Sequence, residues 1–348
     1  LFATGQAGTL VNNGEITNVR IATGFLDPVS FSGSQANATF SLDNKGKITS
    51  SGILAAADGA KVTVTNSGTI TNSASPDAFT PSPAGFSTVS AALNITNTGS
   101  IISESPNKLI DGGDVTILNK NKIIVNSTQA AISASKLTVT NTAVGIKKAG
   151  ATIFQSSGDI TVTNDGSITG LDNTTAIAAA GLANVTNKGV IQVGASTSIA
   201  IPNFAINLAG KSVVNNLGKI SAGATAISVG NLSTVQNNGD IIVSGATFGA
   251  VKGTGLLTFV NNGQTTVTGA GAFGVSSTLG VDITNSGSLS VTGANATGIS
   301  GLSAVTIINN GIVQVAGETA NAIVARGPAS IQNNGEIVAA GGTGVVAH

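Results

Sequence analysis

The sequence predicts an all-β fold: a single-stranded, right-handed parallel β-helix, or β-solenoid, of about 14 three-sided coils of about 24 residues. Three observations predict it. A unit of the form apolar-x-apolar-x-Asn-x-Gly-x-apolar recurs along the chain. Glycine follows two residues after the repeated Asn in twelve copies of fourteen. The composition combines 41% hydrophobic residues with only 9% charged residues. The hand follows from the right-handed preference of parallel crossovers.

Composition sets the outer bounds. Globular domains carry roughly 25% charged residues, so this chain is not an ordinary compact domain. Its aliphatic and β-branched content also excludes disorder. Fifteen basic residues balance fifteen acidic ones, which excludes nucleic acid as a partner, because phosphate binding needs clustered Lys and Arg. The absence of Cys excludes a disulfide scaffold and a thiolate metal site. No apolar run approaches the roughly 18 residues of a membrane span. The chain begins at Leu1 rather than Met, as a processed or trimmed chain would.

The first strand of each coil ends on the repeated Asn. These are Asn12, Asn44, Asn66, Asn97, Asn119, Asn141, Asn164, Asn187, Asn216, Asn237, Asn261, Asn285, Asn309 and Asn333. The last five are spaced by 24 residues, and most of the others by 21 to 23, with three longer steps. Two residues before the Asn all fourteen copies are apolar, from Leu10 and Leu42 to Ile307 and Ile331. Polar neighbours such as Thr63, Thr138 and Thr161 alternate with them. That period of two puts one face inward and one outward.

The corner after the Asn is marked by Gly14, Gly46, Gly68, Gly99, Gly166, Gly189, Gly218, Gly239, Gly263, Gly287, Gly311 and Gly335. Glycine fixed at one position predicts a positive φ there, where a Cβ would clash. Asn121 replaces it once, the next most tolerant residue for that conformation. At Ala143 the glycine is displaced to Gly145, which predicts a local bulge.

A second strand follows, marked by Ile16, Ile48, Ile70, Ile101, Ile123, Ile168, Ile191, Ile220 and Ile241. A third short apolar segment lies at Ile177, Ile227, Val251, Val275, Ile299 and Ile323. The chain thus reads as one continuous solenoid over 1–348, with insertions at about 17–39, 71–92 and 196–210 as loops off the coils. Stacked coils about 4.8 Å apart would align the asparagines into a ladder of amide hydrogen bonds, as in cross-β stacks. The ladder is expected to satisfy a corner where the backbone cannot pair with itself.

The units Thr65-Asn66-Ser67-Gly68-Thr69-Ile70 and Asn333-Asn334-Gly335-Glu336-Ile337 resemble the repeats of bacterial autotransporter passengers, filamentous-haemagglutinin-type exoproteins and related surface-layer proteins. The resemblance covers roughly residues 5 to 347. It implies a secreted protein on the bacterial cell surface, and it carries no catalytic residues.

The remaining side chains offer few sites. Asp111 and Asp114 are the closest acidic pair and His348 is the sole histidine, too little for acid–base cleavage of a glycan. No catalytic residue, metal site or cofactor is expected. Lys108, Lys120, Lys122, Lys136, Lys147 and Lys148 could form a basic strip for acidic glycans, or a solvated face that discourages lateral pairing. Outward threonines at Thr63, Thr116, Thr138, Thr161, Thr234, Thr258 and Thr306 suit an exposed strand, and flat Thr arrays can also order water or ice. Phe25, Phe31, Phe79, Phe86 and Phe204 lie in the insertions, where long loops on a rigid scaffold are natural contact sites.

The repeat is running at Leu10 and still running from Ile337 to Val346. Uncovered parallel edges invite another strand, so the chain is expected either to continue or to stack on its own copies. The expected function is a non-enzymatic structural or adhesive surface protein, assembling with itself end to end or laterally. A glycan-binding module, or less readily a glycan-cleaving one, is the alternative.

Overall fold

The computed structural model describes residues 2–3, 7–17, 22–23, 39–50, 55–58, 61–72, 86–89, 92–106, 108–142, 145–148, 150–196 and 203–347. The chain divides into two compact units, Leu1–Thr169 and Gly170–His348. Both are built of parallel strands, and no helix occurs among the described residues.

In the second unit, from Phe204 onward, each coil has three five-residue strands. One coil runs Ser233–Asn237, Asp240–Ser244 and Gly249–Gly253. The next runs Leu257–Asn261, Gln264–Thr268 and Phe273–Ser277. Their strands pair in parallel, with Val235 on Phe259, Ile241 on Thr265 and Val251 on Val275. The strand ladders join successive coils rather than neighbours in sequence, which defines a solenoid.

The interior follows from the alternation. Val235, Ile241, Val243, Val251, Phe259 and Val275 are each fully buried, and on the first two sides the strand residues that alternate with them, such as Gln236, Ile242 and Val260, face outward. A slip of one residue would turn every inward side chain into solvent, so the apolar period pins the register. Each coil contacts its immediate neighbours, so stability accumulates coil by coil.

The first unit follows the same plan with one variation. Ile110–Asn119 and Ile132–Asn141 are unbroken ten-residue strands, so there the third side of one coil runs straight into the first side of the next. Inward residues Ile110, Val115 and Ile117 are buried, as are Ile132, Leu137 and Val139.

The expected coil number needs one adjustment. From Ala92 onward about 11 turns are described nearly throughout, against about 14 expected. The difference is the first three Asn-bearing strands, Ala7–Asn12, Thr39–Asn44 and Lys61–Asn66, whose connections lie partly outside the described residues.

Two expected insertions also change. Phe86–Val89 pairs with Ala55–Asp58 and, at Phe86 and Ser87, with Ile110 and Asp111, so it is a third-side strand inside the span 71–92. Phe204–Leu208 pairs with Thr225–Val229 and buries Ala205, Ile206 and Leu208. That inward apolar set holds the segment in the coil, so Phe204 opens a strand and does not sit on a free loop. Phe25, Phe31 and Phe79 lie outside the described residues, as do most of the loop segments around them.

Candidate functional site

The most ordered feature is the corner after the first strand. In the first unit each Asn donates its Nδ2 to Oδ1 of the next, from Asn12 through Asn44, Asn66, Asn97, Asn119 and Asn141 to Asn164, at 2.7 to 2.8 Å. In the second unit the same relay runs from Asn187 through Asn216, Asn237, Asn261, Asn285 and Asn309 to Asn333, at 2.7 to 2.9 Å. Every bond points the same way within its unit. Chains of aligned hydrogen bonds polarise one another in a low-dielectric interior.

The amides are also tied to the backbone. Asn285 Nδ2 reaches Ile312 O at 3.1 Å and Gly287 O at 3.4 Å. Asn44 Nδ2 reaches Thr69 O at 3.2 Å and Gly46 O at 3.3 Å. Where Thr265 replaces the usual inward aliphatic residue, its hydroxyl donates to Asn261 Oδ1 at 3.2 Å. A buried polar group so fully engaged has nothing left for catalysis or ligand binding. The asparagines hold the corner.

The corner backbone pairs with the adjacent coil, contrary to the expectation that it could not. Ser67 N and Gly68 N both donate to Asn44 O, at 2.8 and 3.1 Å, and Thr69 N donates to Gly46 O at 2.9 Å. This close stacking also explains the glycines. The corner glycines Gly68, Gly99, Gly239 and Gly287 do not occupy the left-handed region, which corrects the predicted positive φ. A Cβ on Gly68, Gly99, Gly239 or Gly287 would lie 1.9 to 2.0 Å from the glycine carbonyl oxygen of the preceding coil. Glycine is required by coil-to-coil approach, not by φ.

The two exceptions fit that account. At Asn121 the side chain is admitted, and the following bond, Lys122 N to Gly99 O, stretches to 3.3 Å against 2.8 Å for Ser100 N to Gly68 O. The other, Ala143, lies outside the described residues; on either side of it Asn119 pairs with Asn141 and Lys122 with Gly145, so the chain has one more residue between those positions than the coil before it. A Cβ on Gly145 would meet nothing within 4 Å.

Left-handed residues do occur, one corner further on. Thr247, Gly271, Asn295 and Thr319 stack there with φ of 64°, 66°, 57° and 57°. Exposed leucines mark the third corner of the second unit: Leu232, Leu256, Leu279 and Leu302 are 47 to 57% exposed. Sequence pattern hid them, because they stand among turn residues and outside the period-two strands.

The charged candidates separate. Asp111 Oδ1 accepts from Lys108 Nζ at 3.2 Å, and Asp114 stands opposite Lys136 on the neighbouring strand. Each acid therefore has a nearby lysine, an arrangement unlike a carboxylate dyad. The basic strip loses Lys148. It pairs in register with Val125, takes that residue's inward direction and is 1% exposed. Its Nζ donates to Ser127 O at 2.7 Å, and burial lowers its pKa from 10.5 to about 8. The side chain of Lys147 lies outside the described residues. Among the described residues no three of His, Cys, Asp and Glu stand close enough to share a metal ion. No helix among them is long and apolar enough to cross a membrane.

No protein-family model, curated protein or solved structure matches the chain.

Proposed function

We propose that this chain is a non-enzymatic structural or adhesive protein of a bacterial cell surface, working as a stiff scaffold that assembles with its own copies or carries an adhesive end. The observation that supports this reading is the saturated asparagine corner. Coil after coil, buried amides are spent on holding the backbone in register. Such a corner makes a scaffold rigid and leaves its chemistry inert. The resemblance of the Asn-x-Gly units to autotransporter passengers and filamentous-haemagglutinin-type exoproteins supports the extracellular setting.

Electron microscopy of the native protein across a concentration series tests the proposal. Ordered fibres or sheets, with no hydrolysis or elimination when common polysaccharides are supplied, are the expected result. Dispersed particles at every concentration would overturn self-assembly. Saccharide affinity mapping to the Phe-bearing segments would favour a glycan-binding module instead.

A further inference from the structure

The outward face of the first side in the Leu1–Thr169 unit carries a regular threonine array that the scaffold reading leaves unused. Three coils present a complete pair on it: Thr63 with Thr65, Thr138 with Thr140, and Thr161 with Thr163. The register stacks these pairs into two columns. Thr138 lies on Thr161 and Thr140 on Thr163. Between the complete pairs, Thr96 pairs with Thr65, beside Asn94 on Thr63. Thr116 pairs with Thr138, beside Leu118 on Thr140. No row of these five carries a charge in either column.

The inward residues between the two columns, Val64, Ile95, Ile117, Val139 and Val162, are buried, so the backbone beneath the array is anchored. Among the described residues, none of the six hydroxyls in the complete pairs is held by a hydrogen bond to the protein. Charges flank the array, with Asp114 facing Lys136 two residues upstream of Thr116 and Thr138, and do not enter it.

We propose that this face binds an ordered water lattice, the surface of ice, through its paired threonines. The columns repeat about every 4.8 Å along the stack, and the two threonines of a pair are about 6.6 Å apart along the strand. These spacings approach those of the oxygen rows on a prism face of hexagonal ice. Threonine is stiff at χ1, so hydroxyls and methyls are already fixed and little side-chain entropy is lost when water freezes onto them. Neutral groups suit the lattice, since ions hold water in shells of their own. Sugars stack on aromatic rings, and this face has none.

The experiment is ice-affinity partitioning of the whole chain: a dilute solution is frozen slowly on a cold finger and the protein in the ice fraction is compared with an inert protein. The expected result is several-fold enrichment in ice. It should fall to the inert level in Thr140→Lys/Thr163→Lys, with the circular dichroism melt unchanged. Should that variant misfold, Thr63→Lys/Thr65→Lys on another coil should show the same loss. Wild-type partitioning equal to the inert protein would overturn the proposal, as would full enrichment in folded lysine variants. Threonine-dependent binding to insoluble chitin or cellulose without ice enrichment would overturn it in favour of a polysaccharide surface.

Discussion

Asn261 Nδ2 donates to Asn285 Oδ1 at 2.8 Å, and both side chains are buried. Asn285 in turn donates to Asn309 Oδ1 at 2.8 Å and to Ile312 O at 3.1 Å. Replacing Asn285 by Ala removes these bonds, leaves the buried Asn309 Oδ1 without its donor and leaves Asn261 Nδ2 only Ser288 O at 3.1 Å. An orphaned buried group costs about 1–3 kcal/mol, so with the lost relay bond Asn285→Ala should lower unfolding stability by about 2–3 kcal/mol. Asn333 is exposed and its Nδ2 donates only to Gly335 O at 3.1 Å among the described residues, so Asn333→Ala should cost about 1 kcal/mol. Urea denaturation of the two variants checks the difference, and equal losses would refute the buried-relay account.

Gly287 and Gly145 give a paired test of the corner. A Cβ on Gly287 would stand 2.0 Å from Gly263 O, a backbone atom, whereas a Cβ on Gly145 would meet nothing within 4 Å. Overpacking against a backbone that cannot step aside costs about 1–3 kcal/mol, at times more. Gly287→Ala should therefore lower the thermal midpoint sharply, while Gly145→Ala should change stability by about 0.5 kcal/mol at most.

Lys148 ties stability to alkaline pH. Its folded pKa of about 8 lies below the ordinary 10.5 because burial disfavours the ammonium. Between those values the unfolded chain binds the proton that the folded chain has released. Stability from this group therefore rises with pH from about 8 and levels off above 10.5, by about 3 kcal/mol in all. The chain has no Cys or Tyr, so no thiol or phenol contributes to that rise. Urea midpoints at a series of pH values should climb in the wild type and climb less in Lys148→Met.

Thr247 holds a φ of 64°, where its stacked neighbour in the next coil is Gly271 at 66°. A β-branched residue is strained in the left-handed region. Thr247→Gly relieves that strain, partly offset by greater freedom of the unfolded chain, and should raise stability by about 0.5–1 kcal/mol. A thermal midpoint below the wild type would show that the threonine contributes more through its contacts than it loses in conformation.

Much of this architecture is legible in the chain itself. Val64, Ile117, Val235 and Ile307, each two residues before its Asn, are all buried inward positions, because a strand alternates its faces whatever surrounds it. The ladder was legible too, since a fixed Asn in a stack of equal coils has its own copies as neighbours. The glycine rule was half legible. Its position is plain in sequence, but the reason differs: the constraint comes from the carbonyl of another coil, and no pattern within one coil carries that distance.

Lys148 shows the other limit. In sequence it stands beside Lys147 as one more basic residue, yet the extra residue before Gly145 places it over Val125 and sends it inward. The second threonine column became meaningful only when register set Thr140 on Thr163. By itself the sequence determined the parallel coil, its inward and outward faces and the asparagine corner, because those follow from the strand period and from identical residues meeting at each turn. Tertiary structure alone decided which glycine is needed for contact and which for φ, which lysine is buried, and which outward residues form a lattice. Those depend on distances between coils, and such distances exist only once the chain has stacked.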